Sequence, residues 1–359
     1  MKILQLGRYP PPYGGITVHI QRLTDLCRQE GIECHVLDLY RREKPADSFP
    51  PFVHHFPSNE VQELFDLWRM LRQQEFDVVH VHTSTMGRLV WMVPLLEHLL
   101  RSSGKVLTIH HGDFVGAYQR RRPIQKLLIR RAIRMFDAIV LPTVELRDAI
   151  SAEFRHIARR LEVISSFIQS EDLDLAPAFE PFDEFAKRIS SDSGLRGTVL
   201  ISGFGFRYYG FDLLAEALEI LSLRGLDFGV IINFYGSGDV EYKRRLADRM
   251  RESRPTLVLE DLAPSDFLYV LRNSDLYVRP TYVDSCGVTV YEAMMLGVQT
   301  IASDVCTRPE GVLCHQTGDA SSLAEQIVQA VNLGLSQAGV STMGNHGGGA
   351  GLINLYRSL

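Results

Sequence analysis

Short runs rich in Val, Ile and Leu alternate along the chain with longer stretches whose apolar residues recur at helical spacing. This alternation predicts βαβ units, and therefore parallel sheets with helices packed on their faces. In the first half the pattern predicts strands at 2–6, 34–39, 77–81, 105–109, 137–141 and 161–164. In the second half it predicts strands at 198–201, 228–234, 256–259, 275–278 and 298–302, and helices between strands, for example over 17–30, 212–224 and 241–252.

The two series of strands are separated by the segment 169–194, which holds acids, two prolines and several serines but no strand pattern. A length of 359 residues fits two domains of about 150 residues each. We therefore predict an N-terminal Rossmann-like domain over 1–170, a linker over 171–195, a C-terminal Rossmann-like domain over 196–340 and a tail over 341–359 that packs back on the N-terminal domain. The expected fold class is α/β, with two doubly wound parallel sheets and an interdomain cleft at the carboxyl ends of the strands, where such sheets bind ligands.

The composition is that of a globular protein, with 45% hydrophobic and 23% charged residues. We expect no membrane span, because the longest apolar run, Leu89–Leu100, is interrupted by Pro94 and Glu97. The N-terminus becomes polar too early for a signal peptide. The cysteines are odd in number, five, and form no C-x-x-C pair, which predicts reduced thiols in a cytoplasmic protein.

The net charge of −5 conceals an asymmetry between the two halves. Residues 1–170 carry 23 Lys and Arg against 18 Asp and Glu, whereas residues 171–359 carry 15 against 25. This distribution argues against a uniformly basic protein, and we expect no nucleic-acid partner.

The basic excess is concentrated in Arg120–Arg134, which has seven basic residues in fifteen and no acid. Ile124, Leu127 and Leu128 fall on one face of a helix there. Each basic side chain near an anionic leaflet contributes about 1 kcal/mol. We predict that this helix docks on the inner face of the cytoplasmic membrane. The alternative is a solvated helix whose apolar side faces the core.

A glycine pair, Gly14-Gly15, precedes a helix that begins near Ile16. Glycine lets backbone amides approach a phosphate at a helix N-terminus, so this loop is a candidate phosphate site. The alternative is an ordinary βα turn. The loop does not contain the dinucleotide-binding motif G-x-G-x-x-G. Gly203-Phe204-Gly205 also lacks the third glycine of that motif.

The strand at 105–109 runs into His110-His111-Gly112. A histidine at the carboxyl end of a strand, His111, can hydrogen-bond a leaving phosphate or a substrate hydroxyl. Zinc binding is the other common use of histidine, but no spacing here matches a standard zinc site, so we expect no metal. His80 and His82 alternate along a neighbouring strand, which predicts that at least one of them packs against the structure.

The segment from Arg279 to Gly297 contains the strongest motif. Asp284 follows a strand and a turn, Gly287 opens a helix, and Glu292 comes eight positions after Asp284. The amides of Gly287, Val288 and Thr289 at a helix start suit a phosphate, and Glu292 can reach a hydroxylated ligand. The alternative is a capped helix with two solvated acids.

In order and spacing these motifs resemble the retaining glycosyltransferases of family 4, which have the GT-B architecture, over nearly the whole chain. The resemblance rests on Gly14-Gly15, the D-V-V-H-x-H strand 77–82, His111-Gly112, the Tyr235–Gly238 turn, and the E-x7-E segment 275–297, here Asp284-x7-Glu292. It also rests on the loop from Ser202-Gly203 to Gly210-Phe211, which resembles the family's second-domain phosphate loop and makes Gly203 a candidate phosphate-binding residue.

The resemblance implies an enzyme of the hexosyltransferase type that moves a sugar from a nucleotide-diphosphate donor to an acceptor hydroxyl with retention. It implies no cofactor and no required metal, with the donor on the second domain and the acceptor on the first. Asp284 would contact donor-sugar hydroxyls, Glu292 the ribose hydroxyls, and His111 would support the reacting centre. The expected acceptor is a glycan or a lipid-linked saccharide in cell-surface polysaccharide or glycolipid biosynthesis.

Two positions depart from the family pattern. Asp284 stands where the family usually has Glu, and its side chain is one methylene shorter. Phe204 and Tyr209 occupy the positions of an Arg and a Lys that clamp the diphosphate, and Arg207 between them is expected to supply one cation. These departures leave two alternatives open: a non-catalytic GT-B protein that binds a nucleotide sugar or a partner, and a nucleotide-sugar epimerase.

Overall fold

The computed structural model describes residues 1–11, 13–38, 49–55, 75–83, 103–110, 112–166, 175–236, 238–285, 287–335 and 348–359. The chain groups into two compact units. The first unit comprises Met1–Pro11, Gly15–Gln169 and His346–Leu359, and the second comprises Pro12–Gly14 and Ser170–Asn345. Each is an α/β structure on one parallel sheet, as the sequence predicts; the cleft stays a prediction.

The strands and helices follow one another along the described chain. The strands are β1 (Lys2–Gly7), β2 (Glu33–Asp38), β3 (Val53–His55), β4 (Val78–Thr83), β5 (Gly104–Ile109), β6 (Ala138–Leu141), β7 (Leu161–Val163), β8 (Leu195–Gly203), β9 (Asp227–Phe234), β10 (Thr256–Glu260), β11 (Leu276–Arg279), β12 (Gln299–Ser303) and β13 (Leu313–His315). The α-helices are α1 (Gly15–Gln29), α2 (Phe114–Gln119), α3 (Pro123–Ile133), α4 (Val144–Glu153), α5 (Glu180–Ser191), α6 (Phe211–Ser222), α7 (Val240–Ser253), α8 (Pro264–Asn273), α9 (Val288–Met295), α10 (Ala320–Leu333) and α11 (Gly348–Ser358).

Both sheets reverse their strand order once. The first sheet has the order β3-β2-β1-β4-β5-β6-β7, and the second has the order β10-β9-β8-β11-β12-β13. All strand pairs are parallel; for example, Leu4 of β1 pairs with Val79 of β4, and Leu200 of β8 pairs with Tyr277 of β11. The reversal therefore falls between β1 and β4 in the first unit and between β8 and β11 in the second. Ligands of open α/β sheets bind at the carboxyl ends of strands at this point.

The central strands are buried on both faces. In β8, Val199 and Ile201 join one apolar cluster and Leu200 joins the cluster on the opposite face. In β4, Val79 and Val81 pack on one side, and Val78 packs on the other. Double burial makes the strands read as continuous apolar runs, and this is why the sequence pattern located them.

α5 lies in the range predicted as a linker. Phe182, Phe185 and Ile189 recur at helical spacing on this helix and are buried in the second unit's core. The stretch is therefore part of that unit rather than a connector. In the tail, Leu352, Ile353 and Tyr356 of α11 lie in the first unit's core.

Every strand that the pattern predicts is present, with ends shifted by a few residues. β3 and β13 were not predicted, because three residues are too few to show a strand period. No helix within the described ranges is both long and apolar enough to cross a membrane. Within the described ranges, the cysteines at 27, 34, 306 and 314 form no disulfide.

Candidate functional site

The loops that follow β8 and β11 meet at the carboxyl edge of the second sheet, because these strands are neighbours. The Tyr282 amide donates a hydrogen bond of 2.9 Å to the Tyr208 carbonyl. Gly210 has a φ of +77°, and a Cβ added there would collide with the carbonyl oxygen of Pro280. Glycine at 210 is therefore required both by its left-handed backbone and by the close approach of the second loop.

A buried ion-pair cluster forms at this edge from Arg279, Asp284 and Arg308, hereafter the charge cluster. Nε and Nη2 of Arg279 donate to the two carboxylate oxygens of Asp284 at 2.6 and 3.0 Å. Nη1 of Arg308 donates to Oδ2 of Asp284 at 2.8 Å, and its Nε donates to the Ser303 carbonyl at 2.9 Å. The side chains of Arg279, Asp284 and Arg308 are only 10%, 7% and 1% exposed.

The charge cluster holds two cations and one anion. Burial alone would raise the pKa of Asp284, but attraction and hydrogen bonds from the two arginines hold that pKa below its ordinary value. Burial would likewise lower the pKa of Arg279, and the carboxylate raises it instead. Asp284 and Arg279 therefore remain charged at neutral pH. With the second guanidinium group, that of Arg308, the cluster carries one excess positive charge that suits an anionic ligand.

The carboxylate of Asp284 is saturated with hydrogen bonds. Oδ1 accepts from Arg279 and from the Ser285 amide at 3.0 Å, and Oδ2 accepts from both arginines. An ionised carboxylate offers about four acceptor sites. A contact between Asp284 and donor-sugar hydroxyls stays a prediction, and it would require one of these four bonds to open.

The start of α9 lies against the charge cluster. Gly287 precedes the helix with a φ of +68°, and a Cβ added there would lie 3.0–3.1 Å from side-chain atoms of all three cluster members. The first amides of a helix have no partner within the helix, and those of Val288 and Thr289 begin α9. The structure thus brings the predicted phosphate-binding amides and two guanidinium groups together.

Glu292 lies in the second turn of α9 and is buried, with 5% of the residue exposed. Asp284 is buried as well. The alternative of a capped helix with two solvated acids is therefore wrong.

The positions of the family's Arg and Lys are filled by an aromatic cluster. The Phe204 ring centroid lies 5.9 Å from that of Tyr209 and 4.8 Å from that of Tyr235. Burial raises the pKa of Tyr209, and it raises the pKa of Tyr235 to about 12, so both phenols stay neutral. Gly203 lies under the Tyr209 ring, and an added Cβ would collide with that ring.

Arg207, which the sequence analysis expects to supply a cation, lies outside the charge cluster. Its side chain is 78% exposed, 3.8 Å from the carboxylate of Asp212 in α6. Its guanidinium also lies 5.6 Å from the centroid of the Tyr242 ring in α7. A phosphate contact by Arg207 stays a prediction.

The remaining candidate site residues, Gly14, Gly15 and His111, are not part of the charge cluster. Gly14 groups with the second unit, where an added Cβ would lie 3.2 Å from the Phe204 ring. Gly15 is the first residue of α1 in the first unit, and open space surrounds its Cα. His111 lies outside the described residues.

The histidines of β4 agree with the expectation that at least one of them packs against the structure. His80 and His82 do not alternate between faces: residues two apart in a strand point to the same side, and their ring centroids lie 4.0 Å apart. His80 Nε2 lies 2.6 Å from the Thr108 hydroxyl, and Nδ1 bonds to the Tyr356 hydroxyl. His80 is thus a packing residue that joins α11 to the sheet.

Sequence reasoning gave no role to Arg279 or Arg308. The sequence did contain a signal for Arg279, because this charged residue ends an otherwise apolar strand. Arginine is rarely buried unless it is paired, so a partner acid could have been sought. No spacing rule connects Arg308, which follows β12, to the acid segment.

Two family models match the chain. Glycosyltransferase Family 4 matches residues 13–172, and Glycosyl transferases group 1 matches residues 196–332. The first match lies largely in the first parallel-sheet unit, without β1 and α11, and the second lies within the second unit.

The chain is also similar to characterised proteins. It is 23% identical over 343 residues to D-inositol 3-phosphate glycosyltransferase of Pseudarthrobacter chlorophenolicus, covering 85% of this chain and 77% of that one. It is 28% identical over 275 residues to the lipopolysaccharide core biosynthesis mannosyltransferase LpsB of Rhizobium meliloti, covering 73% and 69%. The solved structure of sucrose-phosphate synthase from Thermosynechococcus elongatus superposes with a TM-score of 0.72 at 14% identity, covering 100% of this chain and 99% of that one; this likeness shows the fold alone. Together, the two parallel-sheet units and the two family matches identify this chain as a glycosyltransferase with the GT-B fold.

Proposed function

We propose that the protein transfers a hexose from a nucleotide-diphosphate sugar to an acceptor hydroxyl with retention of the anomeric configuration. The observation that carries the proposal is the charge cluster, which sets two buried guanidinium groups and a net positive charge beside the start of α9. A departing diphosphate gains negative charge as the glycosidic bond breaks, and preorganised donors stabilise that charge. The resemblance of Asp284-x7-Glu292 to the family's acid motif supports retention.

In this proposal the diphosphate lies against the amides of Gly287, Val288 and Thr289, with Arg279 and Arg308 behind them. Asp284 orients both guanidinium groups, and Glu292 binds the ribose hydroxyls. Because guanidinium groups supply the positive charge, the transfer step needs no metal ion. In this proposal the diphosphate is bound by cations at the end of β11 and in the loop after β12. The family instead has its two cations in the loop after β8.

The names of the relatives guide the choice of acceptor. One relative acts in lipopolysaccharide core biosynthesis and the other on D-inositol 3-phosphate. We propose a hydroxylated glycan or lipid-linked saccharide as the acceptor here, in cell-surface polysaccharide or glycolipid assembly.

Turnover of nucleotide sugars tests the proposal. The full chain is incubated with a panel of UDP-, GDP- and ADP-hexoses, and release of nucleoside diphosphate is measured with and without saccharide acceptors. We expect Glu292→Gln to lower kcat/KM about 100-fold, or about 2.7 kcal/mol, because a charged acceptor for donor hydroxyls is lost. Glu310→Gln, an exposed acid in the same unit, is the control and should retain wild-type turnover. Equal turnover in the two variants would contradict the role of Glu292.

The aromatic cluster favours a second candidate, a GT-B protein that binds a nucleotide sugar without transferring it. Phe204 and Tyr209 leave Arg207, which is largely exposed, as the cation between them on the loop after β8. The same panel separates the candidates. Saturable nucleoside-diphosphate binding with no turnover on any acceptor supports the binding protein, whereas a change in the sugar's configuration while still nucleotide-linked supports an epimerase.

We also propose that the first unit docks on an anionic membrane surface through α3. One side of this helix is in the core, where Ile129, Ala132 and Ile133 are buried. The proposal rests on a second apolar face: Ile124 and Leu127 are each 64% exposed and Leu128 is 40% exposed. These side chains are surrounded by the seven basic residues of 120–134, so apolar insertion and attraction to acidic lipids can act together.

Vesicle sedimentation tests the docking. Changing Arg120, Arg121 and Arg122 to Ala should weaken binding to anionic vesicles about 100-fold, since each contributes about 1 kcal/mol. The matched control replaces three arginines of α7, Arg244, Arg245 and Arg249, which pair with acids and should leave binding unchanged. Salt-insensitive binding, or an equal loss in both triple variants, would refute docking through α3.

A further inference from the structure

Three imidazole rings from three elements meet in the first unit. His19 lies on α1, His82 lies in β4, and His110 directly follows β5. One nitrogen of each ring lies within 4.8 Å of the others. The three residues stand at the carboxyl edge of the sheet near the β1–β4 reversal, where α/β sheets hold ligands.

The spacing of the His82 and His110 nitrogens suits one metal ion. His82 Nδ1 and His110 Nε2 are 3.2 Å apart. Two nitrogens at that separation, each about 2.05 Å from one Zn²⁺, subtend an angle of about 103°, close to the tetrahedral value of about 109°.

Ser166 orients two of the three rings. Its carbonyl lies 2.7 Å from His19 Nδ1, and because a carbonyl only accepts, that nitrogen carries the proton. His19 Nε2 therefore presents a lone pair, and within the described chain this buried atom has no hydrogen-bond partner. The Ser166 hydroxyl lies 3.2 Å from His110 Nδ1. Backbone carbonyls and hydroxyls commonly fix metal-binding histidines in this way.

The unsatisfied Nε2 of His19 is an unused ligand atom aimed at the cluster. Buried polar atoms are nearly always satisfied, and an orphan costs free energy. By contrast, both nitrogens of the neighbouring His80 are satisfied.

The protonation state agrees with metal binding. Burial lowers the pKa of His19 to about 4 and holds the pKa of His82 and His110 well below the ordinary value. The rings are therefore neutral at pH 7, the form that coordinates a metal.

We propose that His19, His82 and His110 bind one Zn²⁺ ion, with a fourth position for water or a ligand oxygen. Three neutral imidazoles with one exchangeable position are a common zinc ligand set. The site is in the first unit, whereas the charge for the proposed sugar transfer comes from the second unit.

Cobalt substitution in the full-length chain tests the site. The chelator-treated protein is titrated with Co²⁺, whose tetrahedral complexes absorb visible light, and Zn²⁺ is then added to displace it. We expect a visible band that saturates at one Co²⁺ per chain and disappears with one Zn²⁺. Absence of that band in the wild type would overturn the proposal whatever the variants do, and the cluster would then be a hydrogen-bonded network.

Variants locate the ion. His19→Gln should weaken Co²⁺ binding at least about 100-fold, and Ser166→Ala, which keeps the carbonyl but removes the hydroxyl, about 10-fold. His54→Gln is the control, because His54 lies 3.0 Å from His35 in a separate histidine pair of the same unit. If His54→Gln removes the band and His19→Gln does not, the ion belongs to that pair and the proposal is wrong. Circular dichroism of each variant separates lost binding from lost folding.

Discussion

Replacing Asp284 with Asn is expected to lower the free energy of unfolding of the second unit by about 3–5 kcal/mol. The cause is not a lost contact alone: removal of the carboxylate charge leaves Arg279 and Arg308 buried with two uncompensated positive charges. Urea unfolding of the full chain measures the loss, and hydrogen exchange in peptides covering β11 and α9 locates it in the second unit.

A double variant separates charge from packing. Adding Arg308→Gln to Asp284→Asn removes one of the two unpaired cations and should recover part of the lost stability, so the two changes should not be additive. Arg249→Ala breaks an exposed ion pair with Glu219 and should cost less than about 1 kcal/mol. If Asp284→Asn costs no more than this exposed pair, the carboxylate is not needed to hold the two arginines.

Gly210→Ala is expected to lower the free energy of unfolding by about 2–5 kcal/mol. The alanine would have to adopt a left-handed backbone conformation, with φ of +77°, and its Cβ would collide with the Pro280 carbonyl. The loop carrying Tyr208 and the loop carrying Asp284 would be pushed apart. Thermal unfolding measures the loss of stability, and nucleoside-diphosphate affinity reports the displaced loops.

The matched control is Gly225→Ala. Gly225 has nearly the same φ, +74°, but nothing lies within 4 Å of an added Cβ. This variant should show only the backbone strain, about 1–2 kcal/mol. Equal losses at 210 and 225 would mean that the approach of Pro280 does not constrain the loop.

The fold was largely readable from the sequence because parallel strands are buried on both faces. Runs such as Phe228–Phe234 contain no polar interruption before Asn233, and no other common element is so short and apolar. The strands and the helix that the sequence pattern did not predict were missed for local reasons. β3 and β13 have three residues each, and the pattern of Phe182, Phe185 and Ile189 in α5 was obscured by the acids and serines around it.

The candidate site was predicted only in part, because burial and pairing are properties of the folded chain. The predicted start of a helix pointed to Gly287, and the spacing of eight residues from Asp284 pointed to Glu292. The sequence could not show that Asp284 would be saturated by arginines, since Arg308 comes from a loop after another strand. His19 was missed for the same reason: its partners His82 and His110 are far along the chain and approach it only when the first sheet forms.

The first unit depends on a helix that is translated after the second. Tyr356 of α11 bonds to His80, and Leu352 and Ile353 complete the apolar layer against β1 and β4. Every strand and helix of the second unit lies between residues 180 and 333 in the described chain, so these elements leave the ribosome as an uninterrupted series. Synthesis of the first unit therefore begins before that of the second unit but ends after it. While the nascent chain grows, the surface that α11 will cover faces water, and it is closed only after the entire second unit has been made.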